Sequence, residues 1–258
     1  MAEPTTAGIA AVGTVPTSSE TLPVPGSKPH VKREPSPSVV TLQRYLREPL
    51  NSLSHFAGVL LSLVGLAVLL VLSRGEPWRT VSFAIYGVST VLLYTASTLH
   101  HGLKLKERGS RWLRRFDHAA IFAMIAGSYT PLTLVTLQGR EAAWGWSLFG
   151  VVWGLAILGI VFKLFWREAP RWLSTGLYLM LGWLVVIALK PVSQTLPPGG
   201  LAWMAVGGLF YSVGAVIYAL KRPNPLPGVI GYHELWHFFV LTGSASHFFM
   251  MLFYVLPQ

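Results

Sequence analysis

The chain has 258 residues, a net charge of +10, no cysteine, and 52% hydrophobic against 12% charged residues. With a mean hydropathy of +0.52, too few polar side chains remain to coat a soluble globule of this length. The lack of cysteine excludes disulfides, thiolate catalysis and Cys-type zinc sites.

Residues 1–43 are rich in Pro, Ser, Thr and Ala and read as a disordered tail; no apolar h-region follows the start, so a signal peptide is not expected. His30, within this tail, reads as a solvated bystander. Residues 44–258 read as one transmembrane domain, with no soluble second domain and no internal repeat. Seven apolar stretches near spanning length follow in order: Leu53 to Leu72, Val81 to Leu99, Ala119 to Leu137, Ala143 to Phe165, Trp172 to Leu189, Leu201 to Leu220 and Val229 to Leu256. The fifth is the shortest. An all-α membrane protein, a bundle of seven transmembrane helices, is the expected fold. Trp78, Trp112, Trp144, Trp172 and Trp203 fall near stretch ends, as interfacial anchors do. Gly150 and Gly154 form a small-xxx-small pattern suited to close helix packing.

The basic residues give a sidedness. Of the 20 Lys and Arg, 16 precede the first stretch or fall in the loops on its side, and 4 (Arg74, Arg79, Arg140 and Lys190) fall on the other. The positive-inside rule then places the N-terminus in the cytoplasm and the C-terminus outside. A C-terminal reporter found in the cytoplasm would reverse that assignment. Basic loops beside a membrane favour anionic lipid headgroups, so nucleic acid is not the expected partner.

This topology gathers the unusual polar residues at one level. Glu48, Asn51 and His55 stand at the start of the first stretch, and Ser97, His100 and His101 at the end of the second. Asp117, the only aspartate, and His118 open the third, while His233, Glu234 and His237 open the seventh. Ionisable groups are costly at membrane depth and mark function when they persist. His233 and His237 are one helical turn apart, about 6 Å, which suits one metal ion. Ser97 and His101 share a face by the same spacing. His100 points about 100° away from His101, and periodicity does not say which of the two faces inward. Asp117 reads either as an N-terminal carboxylate favoured by the helix dipole or as a group that orients a ligand or metal-bound water. His247 lies about 15 Å deeper than His237, too far for one metal shell. An internal hydrogen bond, to Ser244, Ser246 or another helix, is expected for it.

His233-Glu-Leu-Trp-His237 also matches the His-Glu-x-x-His signature of zinc proteases, in which Glu234 would be the general base. No acidic ligand follows on a later helix, which disfavours that reading.

Four ordered motifs resemble the hemolysin III family, the bacterial branch of the progestin and adiponectin-receptor (PAQR) proteins, over residues 45–256. They are Glu48-x-x-Asn51-x-x-x-His55, Ser97-x-x-x-His101, the acidic start of the third helix in FDHAAIFAMIAGSYTP (116–131), and His233-x-x-x-His237 followed by FFVLTGSASHF. The resemblance implies Zn2+ held by His101, His233 and His237 with a water as fourth ligand, and Asp117 and Ser97 contacting or orienting that water. It selects His101 over His100. It leaves Glu48, Asn51 and His55 as polar residues around the ligands. Three imidazoles with an open position match a catalytic zinc. Relatives that include alkaline ceramidases imply a membrane-lipid amide or ester as substrate, with Asp117 as general base. The alternative is a non-enzymatic sensor or regulator of lipid state with a structural zinc.

Overall fold

In the computed structural model the described residues are Met1, 44–166 and 169–258. The expected tail, with His30, lies outside them apart from Met1. Seven helices within the unit Arg33–Gln258 are long and apolar enough to cross a membrane. We number them α1 (Pro49–Leu72), α2 (Pro77–Gly102), α3 (Glu107–Thr136), α4 (Gly139–Phe165), α5 (Arg171–Thr195), α6 (Pro198–Leu220) and α7 (Tyr232–Val255). No strand occurs among the described residues. Each helix packs on its neighbour in sequence, α7 returns against α1, and α3, the most buried, also touches α5.

The helix ends follow from local chemistry rather than from hydropathy. Pro49, Pro77 and Pro198 sit in the first turns of α1, α2 and α6, where a missing N–H costs nothing. Hydropathy placed the start of the third span at Ala119, yet α3 begins at Glu107. The basic segment before it is therefore mostly helix, because charged turns can continue a helix past the hydrocarbon.

α5 explains its short apolar stretch. Its α-helical part stops at Gly182, tightens to a 3-10 turn over Trp183–Ala188 and resumes at Leu189. Pro191 lacks an N–H and crowds the carbonyl four residues earlier, inside that turn. Tyr129 of α3 compensates: its hydroxyl donates to the Gly182 carbonyl (2.6 Å) and accepts from the Val185 N–H (2.9 Å). Backbone groups freed inside a membrane need such a partner.

The glycines of α4 correct one expectation. Gly150 and Gly154 are exposed, and a Cβ at either would meet nothing within 4 Å. The buried face of α4 is Gly145, Leu148, Val152, Ala156 and Gly159. A Cβ on Gly145 would collide with the Thr133 carbonyl oxygen and lie 2.5 Å from that of Leu137. The spacing of 150 and 154 is right for a packing motif, but their face looks toward lipid.

Most of the core lies toward the far half of the bundle, around Leu69, Phe83, Phe122, Leu132 and Met251. A smaller cluster of Leu93, Tyr94, Ala96, Ala120, Met124 and Val240 lies between α2, α3 and α7, close to the polar residues. Trp78, Trp112, Trp144 and Trp172 are exposed at helix ends, as anchors would be.

Gly145→Ala is expected to cost roughly 1–3 kcal/mol, because backbone carbonyls cannot move aside. Gly150→Ala and Gly154→Ala should stay within about 0.5 kcal/mol. Thermal melting in detergent distinguishes them, and equal losses at all three positions would contradict the packing described.

Candidate metal centre

The chain just before α1 pairs with the end of α2: the Arg47 N–H donates to the Gly102 carbonyl (3.2 Å) and the Glu48 N–H to that of His101 (2.9 Å). This sets the Glu48 side chain against the His101 ring, with Glu48 Oε2 2.7 Å from His101 Nδ1. Burial alone would raise the Glu48 carboxyl. The hydrogen bond and charge of His101, the Asn51 amide and Arg47 outweigh it and hold the group well below the usual carboxylate range. Glu48 is thus a fixed anion that takes the His101 Nδ1–H.

α7 supplies the other two imidazoles. Its first amides are satisfied by side chains: the Gly231 N–H donates to Glu234 Oε2 (2.8 Å) and the Tyr232 N–H to Asn224 Oδ1 (2.9 Å). The other Glu234 oxygen accepts from Asn51 Nδ2 at 3.0 Å, and the same amide reaches Glu48 Oε2 at 3.1 Å. One asparagine therefore bridges two carboxylates and ties α1 to α7. Its backbone carbonyl oxygen lies 3.2 Å from His237 Nδ1.

His101, His233 and His237 each present a ligating atom, all within 4.8 Å of one another. Their ring centroids are 4.8 to 5.1 Å apart. His101 and His237 are buried and His233 is half-buried. With Nδ1 of His101 held by Glu48 and Nδ1 of His237 by the Asn51 carbonyl, Nε2 of both is the nitrogen available to an ion. Imidazoles fixed in this tautomer by outer partners are the donor set a divalent transition metal takes. The residues present fit zinc.

Asp117 and Ser97 are both buried. They line a cleft of ≈ 560 Å³, counted to its open mouth, together with the three histidines. Leu93, Ile121, Trp236 and Val240 give this cleft apolar walls. Asp117 also comes within 4.8 Å of His100 and His101, so the carboxyl reaches the histidine side of the cleft. Glu234 does not line the cleft. Its two oxygens are committed to the cap of α7 and to Asn51, which removes the protease-like role that the His-Glu-x-x-His spelling suggests.

The remaining expectations resolve individually. His55 stacks on His237, centroids 3.7 Å apart, and meets Tyr94 edge-on, so it buttresses the His237 ring. His100 turns toward Arg47, Nε2 to Nη2 3.4 Å, and the three-histidine group contains His101. His247 bonds neither expected serine: Ser244 takes the Tyr94 and Tyr211 hydroxyls, and Ser246 donates to the Thr242 carbonyl. Instead its ring packs edge-on against Tyr211. Sequence reasoning missed Tyr218, which faces His233 edge-on at 5.5 Å with the Arg171 guanidinium 4.7 Å over its ring. No spacing rule connects residue 218 with 233 across a loop.

Glu48→Gln should lower metal affinity by about 10–100-fold, since the amide cannot hold Nδ1–H as an anion does. Competition with a chromogenic chelator measures this. Unchanged affinity would mean that Glu48 does not orient His101.

The comparisons agree with this architecture. Residues 43–248 match the family described as Haemolysin-III related. The Hemolysin-3 homolog of Bacillus subtilis (strain 168) is 43% identical over 206 residues, covering 79% of this chain and 92% of the relative. Hemolysin-3 of Bacillus cereus is 39% identical over 219 residues, covering 84% and 95%. The Monocyte to macrophage differentiation factor of Homo sapiens is 27% identical over 210 residues, covering 80% and 83%. The matched span contains all four motifs and every residue named for the site. The chain belongs to the Haemolysin-III related family of multi-pass membrane proteins.

Proposed function

We propose that the protein binds zinc through His101, His233 and His237 and hydrolyses an amide or ester bond of a membrane lipid. The observation that supports this is the juxtaposition of three imidazoles, two with fixed tautomers, and a buried carboxyl in one cleft with apolar walls. A zinc ion in such a site supplies a Lewis acid and lowers the pKa of a bound water to about 7.

The protein's own groups do the rest. Asp117, beside Ser97 in the cleft, accepts a proton from the attacking water at a carboxylate oxygen. It returns that proton to the departing nitrogen or oxygen as the C–N or C–O bond breaks, so water is consumed and a fatty acid and an amine or alcohol result. Glu48 and the Asn51 carbonyl keep His101 and His237 in one tautomer throughout. Leu93, Ile121 and Val240 offer an acyl chain an apolar wall, which suits a lipid rather than a polar peptide.

A structural zinc in a non-enzymatic sensor of lipid state is the second reading. The linkage of α1, α2 and α7 through Glu48, Asn51 and Glu234 favours it, because a closed polar clamp at that point would hold three helices whether or not chemistry occurs.

Asp117→Asn separates the two. The hydrolase reading expects zinc to stay bound while turnover of ceramide, or of an ester lipid, falls by about 10²–10⁴-fold. Glu234→Gln should retain turnover. A wild-type protein that carries zinc yet hydrolyses neither amide nor ester lipids would favour the structural reading.

A further inference from the structure

The first turns of α3 carry a feature separate from the metal centre. α3 runs for 30 residues, about 45 Å of helix against a hydrocarbon core of about 30 Å. The excess falls at its N-terminal end, where Arg108, Arg111, Arg114 and Arg115 precede the apolar stretch. At about 100° per residue, Arg108, Arg111, Trp112 and Arg115 occupy one arc of about 100°, centred nearly opposite Asp117. While Asp117 faces the cleft, these four line a recess on the outer side.

The recess is both cationic and apolar. Arg111 is paired with Glu107, whereas Arg108 and Arg115 have no ion-paired carboxylate among the described residues. Trp112 is 46% exposed and Phe116 55% exposed. Their rings lie 6.3 Å apart, with the Arg115 guanidinium 5.0 Å from the Trp112 ring. Forked guanidinium groups match phosphate oxygens. An exposed Trp at that depth sits at the headgroup boundary.

We infer that this face of α3 binds the phosphate of an anionic membrane lipid, with Arg108 and Arg115 on the phosphate and Trp112 and Phe116 at the top of the acyl chains. The exposed aromatic pair argues for a lipid over a soluble anion, since a soluble anion gains nothing from it. The site does not depend on what the metal centre does.

The test uses the full-length protein in phosphatidylcholine vesicles containing a trace of spin-labelled phosphatidylglycerol or spin-labelled phosphatidylcholine. The wild-type protein should retain the anionic lipid preferentially, and salt should weaken that preference. Arg108→Gln/Arg115→Gln should cut it by about 25-fold, each cation near an anionic surface contributing about fivefold. Its thermal melting in pure phosphatidylcholine should not change. If the double variant melts lower, Arg108→Gln alone, at an exposed position, should still cut the preference. An unchanged preference in these variants would overturn the inference, as would one lost only on deleting residues 1–43. Displacement of the labelled lipid by inorganic phosphate would also overturn it.

Discussion

The hydrogen bond between the Glu48 carboxylate and His101 Nδ1, 2.7 Å long, joins the chain entering α1 to the last turn of α2, and the rest of the site is arranged around it. A carboxylate there is stable only because His101, Asn51 and Arg47 surround it; an uncompensated charge at that depth would be expelled toward water. Asn51 then passes the constraint onward. Its amide bridges Glu48 to Glu234, and its carbonyl holds His237. Three helices are therefore registered against one another by polar contacts that hydrocarbon makes costly to leave unmade.

α3 takes the opposite role. It is the most buried helix, it braces the break in α5 through Tyr129, and it brings the single aspartate to the cleft. Its length lets one helix serve two environments. Deep in the bundle it places Asp117 beside Ser97 in the cleft, and its first turns expose Arg108, Arg111 and Trp112. The two faces diverge because residues 115 and 117 are about 200° apart on a helix.

Much of this was legible from residue order. Seven apolar runs gave seven spans, and counting crossings put Glu48, Ser97, Asp117 and His233 at one end, where the structure brings their neighbours together. The family expected from four motifs is the family found. Helix ends were less legible, because Arg-rich turns continue α3 for more than ten residues before its apolar run. Gly150 and Gly154 misled because periodicity gives a shared face without saying which way that face looks. The role of Glu234 was left open by the sequence, since a five-residue spelling does not reveal that one carboxylate oxygen caps a helix start and the other takes the Asn51 amide. The partners of Glu48 and Tyr218 were out of reach, since His101 and His233 meet them only after the chain has folded back.

The central claim is that three imidazoles on α2 and α7 hold one zinc ion. X-ray absorption at the zinc edge of the purified protein tests it most directly. The account predicts one zinc per chain with three nitrogen donors at about 2.0–2.1 Å and one further oxygen, reduced to two nitrogens in His237→Ala. A shell of oxygen ligands alone, or a spectrum unaltered by that substitution, would contradict it.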